Sequence, residues 1–242
     1  RMRFRPAFLA VPLLVVASLA WAHDLFLKLD RYFLEPNARV RIPVLNGTFS
    51  TSENFVTPDR LADISVVSPQ GRARLEPARV WRPGPDSTSL LSLETGAAGT
   101  YVAGASILPR ELELAGDSFN MYLEEEGITD VLEVRRRTND TTRARERYSK
   151  HVKAIFQVGE RRTGDFDVLL GYPAEIVPLE NPYTLPPGAA LRVRCLVDGA
   201  PVANQTVLWG GEQGGRALRQ RSTRTGPDGV ATVMLDAPGR WY

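Results

Sequence analysis

Short apolar runs of period two, each closed by a cluster of turn formers, recur along most of this chain and restrict it to packed antiparallel sheets. Leu25, Leu27 and Leu29 alternate in DLFLKLD, and Val40, Ile42 and Val44 alternate in ARVRIPVL, which Asn46-Gly47 closes. The cadence continues through DISVVS at 63–68, ARLEPARVW at 73–81, STSLLSL at 87–93 and GTYVAGASI at 99–107. Alternation sends one set of side chains inward and the other to solvent, and many short runs at this spacing make an antiparallel β-sandwich. A second group of runs begins at AALRVRCLVDGAPVANQTVLWG, 189–210, a hairpin pattern with Asp198-Gly199 at its turn. It ends in ALRQRSTRTGPDGVATVMLDAPGRWY, where Gly226-Pro227-Asp228-Gly229 joins two further runs. The expected fold is all-β, with two sandwich domains. Four strands are visible in the second, and its remaining strands are expected beyond Tyr242.

Between the groups, residues 110–150 change character. Phe119, Tyr122 and Leu123 share one side of DSFNMYLEEEG, which predicts a short helix stopped by Gly127. Arg135, Arg136, Arg137, Arg143, Arg145 and Arg147 then crowd among Thr, Asn and Asp, predicting one or two short helices and a solvated loop. The strand pattern returns in HVKAIFQVG at 151–159. Pro173, Pro178, Pro182, Pro186 and Pro187 break the following stretch and mark a linker, with the domain boundary near 175–185. The division expected is 1–22, 23–175 with an insertion at about 110–150, and 176–242.

Residues 1–22 carry the signature of a secretory signal peptide. Arg1, Arg3 and Arg5 precede the 16 apolar or small residues Ala7–Ala22, too few to span a bilayer, and Ala20-Trp21-Ala22 is an A-x-A cleavage signature. The mature protein is therefore expected in the periplasm, without stable membrane insertion. Removing three arginines from 30 basic residues leaves 27 against 28 acidic ones, so the basic whole-chain balance argues for no nucleic-acid partner. Cys195, the single cysteine, shares a strand face with Leu191, Val193 and Val197 and reads as a small core side chain. No G-x-S-x-G, H-E-x-x-H, P-loop or G-x-G-x-x-G occurs, and the expectation is a protein that is not an enzyme.

AHDLFL after the signal peptide, FNMYLEEEG, RERYSKHVKAIFQVG at 145–159, GYPAEIVPLENPY at 171–183 and the DGVATVMLDAPGRWY ending resemble a bacterial family of exported proteins of unknown function. That family is associated with the periplasmic component of ABC-type cobalt or nickel transport. The resemblance implies an immunoglobulin-like or transthyretin-like architecture, further strands after Tyr242, and a role in acquiring a transition metal through a membrane metal-uptake complex.

Cleavage after Ala22 would make His23 the first residue. Its α-amine and imidazole Nδ1 would then close a six-membered chelate, a nitrogen donor pair suited to nickel, cobalt, zinc and especially copper. Asp24 adds a carboxylate or orients the ring. His151 completes a two-histidine copper clamp only if the fold brings it to His23; Lys150 and Lys153 beside it oppose a cation, and a surface histidine is the competing reading. Glu124-Glu125-Glu126 reads as a solvated helix end, and Asp165 and Asp167 as an ordinary turn. The leading expectation is a protein that binds a divalent metal through His23 and assists its uptake. An adhesion or scaffolding module of the cell envelope is the alternative, and a copper-dependent oxidase a third.

Overall fold

In a computed structural model, residues 24–186 and 188–242 are described; the expected signal peptide, 1–22, and His23 lie outside them. The first group of strands comprises β1 (Asp24–Leu27), β2 (Phe33–Leu34), β3 (Arg39–Gly47), β4 (Leu61–Ser68), β5 (Gly71–Arg74), β6 (Trp81–Pro83), β7 (Ser89–Glu94) and β8 (Gly99–Ile107). One sheet runs in the order β1-β3-β7-β6. It faces a second sheet, β2-β11-β8-β4-β5, that takes in the later strand β11 (His151–Val158). Between them lies a core in which Ile42, Leu91 and Phe156 have no exposed surface. These are the inward members of the alternating runs, so the period-two pattern and the core coincide.

Strand β8 departs from simple alternation, because all nine of its residues are buried. Tyr101, Ala103, Ala105 and Ile107 enter the main core, whereas Val102 packs with Val67, Leu170 and Tyr172 on the opposite face. Gly104 lies on that outer face, where a β-carbon would run into Leu170. The segment around residues 168–172 thus closes over the sheet, and a side chain at position 104 would push Leu170 and Tyr172 aside.

Two expectations need correction. The run 73–81 is not one strand: Pro77 starts a helical turn, α1 (Pro77–Val80), that separates β5 from β6, because proline is favoured at a first helical position and disfavoured in a paired strand. Asn46-Gly47 is not a turn but the end of β3, which runs on to pair with β1 and to bridge Ser52.

The excursion between β8 and β11 is more ordered than its composition implies. β9 (Arg110–Leu114) pairs with β10 (Ala144–Tyr148), and between them come α2 (Gly116–Glu125) and α3 (Thr129–Arg137). Phe119, Leu123 and Leu132 form a separate small core, and Gly127 takes the left-handed conformation (φ 68°) that ends α2. Arg136, Arg137, Arg143, Arg145 and Arg147 are exposed, as expected, but Arg135 departs from that reading. Arg135 is buried, donating to Asn120 Oδ1 at 2.6 Å, to Asp140 Oδ2 at 2.7 Å and to the Thr142 carbonyl at 2.9 Å. Arg143 and Arg145 pair with Glu113 across the ribbon, and Arg136 pairs with Glu124.

The remaining chain supplies β12 (Ala174–Pro178), β13 (Ala190–Val197), β14 (Ala200–Pro201), β15 (Thr206–Gln213), β16 (Arg216–Arg224), β17 (Val230–Met234) and β18 (Arg240–Trp241). β13 pairs with β12, β14 and β17 in one sheet, and β16-β15-β18 make the other. Leu191, Val193, Cys195, Val207 and Trp209 form their shared core, where burial pushes the Cys195 thiol pKa up and keeps it unreactive. The protein is all-β apart from its short helices. Among the described residues, no helix is long and apolar enough to cross a membrane.

One of the contacts between the two groups of sheets is made at and just after β1. Lys28 Nζ lies 2.7 Å from Glu212 Oε2, and Arg240 pairs with the other oxygen of that carboxylate at 2.7 Å while donating to the Asp30 carbonyl. The Tyr242 ring packs on Phe26 and Phe49, with ring centres 5.2 and 4.7 Å away.

Candidate functional site

Several ionisable side chains meet at the amino end of β1. Asp24 starts β1 opposite Gly47, and its neighbour Leu25 stands opposite Asn46. Asn46 Oδ1 accepts a hydrogen bond from Lys150 Nζ at 2.8 Å, which brings the lysine to this strand end. Glu126, at the end of α2, meets the same neighbourhood. Burial first, then the charge of Asp24, pushes its carboxyl up to about 7, with Glu125 and Glu146 adding to the rise and Lys150 opposing it. Lys150 in turn is brought down to about 8 by burial, partly offset by Asp24 and Glu126.

Glu146, on β10, completes the group. Tyr122 bonds to its carboxylate, and burial together with that bond raises the phenol's pKa, so that the tyrosine remains a donor. The carboxylate's Oε2 is buried with no hydrogen-bond partner. Asp24 and Glu126 therefore act on the Lys150 ammonium, and Glu146 acts on Glu126, at the strand end that follows His23. A half-buried anion in excess raises the proton affinity of its neighbours and also attracts a cation. Among the described residues, no three His, Cys, Asp or Glu side chains are grouped closely enough to hold a metal by themselves.

Of the residues singled out in the sequence, Asp24 belongs to this group, His23 lies outside the described residues, and His151 belongs elsewhere. The His151 ring has Ser106 Oγ at 2.9 Å from Nδ1 and Ser149 Oγ at 2.9 Å from Nε2, and it packs 5.9 Å from the Tyr172 ring. Burial lowers its pKa, partly countered by Glu175, so the imidazole is favoured in its neutral form. A metal at either nitrogen would have to displace a serine hydroxyl.

Glu126, Glu146 and Lys150 were not legible as site residues. Glu126 is half-buried, not a solvated helix end, because the end of α2 meets β1 across a long stretch of sequence. Asp165 and Asp167 lie in a single 3-10 turn (Gly164–Asp167), in keeping with the turn reading.

The sequence matches, over residues 20–242, a family described as a domain of unknown function, DUF4198, and the chain belongs to that family. Comparison with curated proteins finds no match. Among solved structures, a DUF4785 family protein from Legionella pneumophila aligns over 87% of this chain and 46% of its own at 11% identity, TM-score 0.31. A trypsin-activated alpha-2-macroglobulin from Escherichia coli aligns over 90% of this chain and 13% of its own, at 11% identity and TM-score 0.27. Dimeric latent PorU from Porphyromonas gingivalis aligns over 95% and 18%, at 10% identity and TM-score 0.25. This chain thus spans less than half the length of each.

Proposed function

We propose that this DUF4198 protein is exported to the periplasm, is cut after Ala22, and binds a divalent transition metal through the amine and imidazole of His23. The cargo is nickel, cobalt or copper, held for delivery to a membrane uptake complex. The observation that supports this reading is the meeting of Asp24 and Glu126 with Lys150, held to Asn46, at the strand end that follows His23.

The donor set fits such an ion. Two nitrogens on one residue form the chelate, and a carboxylate from Asp24 or Glu126 supplies charge neutralisation. The buried, unpartnered Oε2 of Glu146 adds negative potential where a dication offsets it. Lys150 serves as the resident counter-charge in the empty state, held by Asn46. A cation entering beside it meets the carboxylates of Asp24 and Glu126.

Mass spectrometry of the secreted full-length protein tests the reading. It is expected to show His23 as the amino-terminal residue and a first-row transition metal bound in native conditions. A mature protein beginning at another residue would remove the chelate and the reading with it.

A further inference from the structure

Ser149, His151 and Ser106 stand in the order nucleophile, base and orienting group at the wall of a cavity that the metal reading does not use. Lys150 turns to Asn46, whereas its two neighbours line this cavity of about 270 Å³ together with Asp63, Arg72, Arg74, Ser106, Leu170 and Tyr172. Ser106 is buried on β8 opposite His151, so its hydroxyl is fixed by the sheet register. With Nδ1 protonated and donating to Ser106 Oγ, Nε2 is left as the acceptor for the hydroxyl of Ser149 at 2.9 Å. Ser149 is exposed and reaches solvent, as an attacking oxygen must.

The surroundings fix the imidazole and supply a cation. Tyr172 lies against the ring and is itself held by its hydroxyl bond to Asp63 Oδ2 at 2.8 Å. Asp63 is neutralised by Arg72 at 3.2 Å and Arg74 at 3.3 Å. Arg72 is spent on Ser65, Leu170 and Asp63. Arg74 commits its Nε and remains three-quarters exposed, leaving the rest of its guanidinium to meet an oxyanion at the cavity wall.

We propose that this cavity is an esterase site for a short acyl ester, with Ser149 as nucleophile, His151 as general base and Ser106 as a positioning residue. Ser149 Oγ forms a bond to the acyl carbon and gives its proton to His151 Nε2. The ester C–O bond then breaks, and the alcohol leaves carrying that proton. Water attacks the acyl-serine, passes a proton to Nε2, and releases the carboxylic acid, restoring the hydroxyl of Ser149. No oxidant, metal or further reactant enters the balance. The small cavity volume limits the acyl group to a few carbons.

The test treats the intact protein with a fluorophosphonate probe and, separately, follows hydrolysis of p-nitrophenyl acetate in the presence of a chelator. A phosphonyl adduct on Ser149 is expected, absent in Ser149→Ala. Ester turnover is expected to fall about a hundredfold or more in Ser149→Ala and His151→Asn. Ser106→Ala is expected to lower kcat while leaving KM unchanged, as loss of ring orientation would. Ser149 is exposed, so Ser149→Ala folds, and circular dichroism checks both other variants. Absence of an adduct on Ser149, or equal turnover by the wild type and Ser149→Ala, overturns the proposal. Either result leaves the metal reading untouched.

Discussion

Lys153 Nζ stands 2.7 Å from Glu175 Oε2, and neither side chain is more than about one-tenth exposed. The glutamate also accepts the backbone N–H groups of Leu170, Gly171 and Tyr172. This pair fastens the segment that covers β8, and with it the wall of the His151 cavity. Burial alone would raise the Glu175 carboxyl, but the lysine and the amides outweigh it and hold the pKa below its ordinary value.

Breaking the pair is expected to be costly, because the partner left behind is buried and charged. Glu175→Gln should lower unfolding free energy by about 3 kcal/mol at pH 7 in urea titrations. A depressed carboxyl pKa contributes stability present above its unfolded value and lost as pH falls through the folded value. The wild-type advantage over Glu175→Gln should therefore shrink in acid.

Glu126 behaves in the opposite sense. Its carboxyl is raised from 4.5 to about 7, so the folded protein keeps a proton that the unfolded chain has released. The stability this contributes is fully present below pH 4.5 and lost as pH rises through about 7. Glu126→Gln, which stays neutral, should match the wild type at pH 4 and exceed it by about 1 kcal/mol at pH 8, after allowing for solvent screening of a half-exposed group. Thermal melts of both proteins across that range check the crossover.

Much of the fold could be read from residue order because its causes are local. Leu25, Leu27, Val40, Ile42 and Val44 announce strand faces by alternation, and Asp198-Gly199 and Gly226 to Gly229 announce turns by their tolerance of positive φ. Gly127 marks the end of α2 for the same reason. The site was only half legible. His23 and Asp24 stand out by their position after Ala22, but nothing in LEEEG or SKHVK says that Glu126 and Lys150 reach β1. That approach follows from pairing β9 with β10 and from packing the helices between them, contacts set by tertiary structure and not by pattern. Arg135 was misread likewise: composition suggested solvent, whereas Asn120, Asp140 and Thr142 enclose it.

The contact between the two groups of sheets makes a further expectation. Glu212 holds Lys28 and Arg240 together, and Tyr242 packs on Phe26 and Phe49. The wild type should unfold in a single cooperative step. Glu212→Ala removes both ion pairs and should cost about 2 kcal/mol, with the transition separating into two in calorimetry. Two transitions already present in the wild type would show that these contacts do not couple the parts.

The acidic group beside β1 should tune metal affinity without being its main source. Glu126→Gln is expected to weaken nickel and copper binding by about tenfold, and Lys150→Met to strengthen it, as measured by competition with a chromophoric chelator. Equal affinities across the three proteins would separate this cluster from the metal.

The most direct measurement is a titration of the protein beginning at His23 with Cu(II), Ni(II), Co(II) and Zn(II), beside the same protein acetylated at its α-amine. Acetylation turns the primary amine into an amide, adds no new amine, and leaves every other donor in place. Affinity is predicted to fall by about a hundredfold or more, most for Cu(II). Equal binding by the two proteins would contradict the chelate at His23.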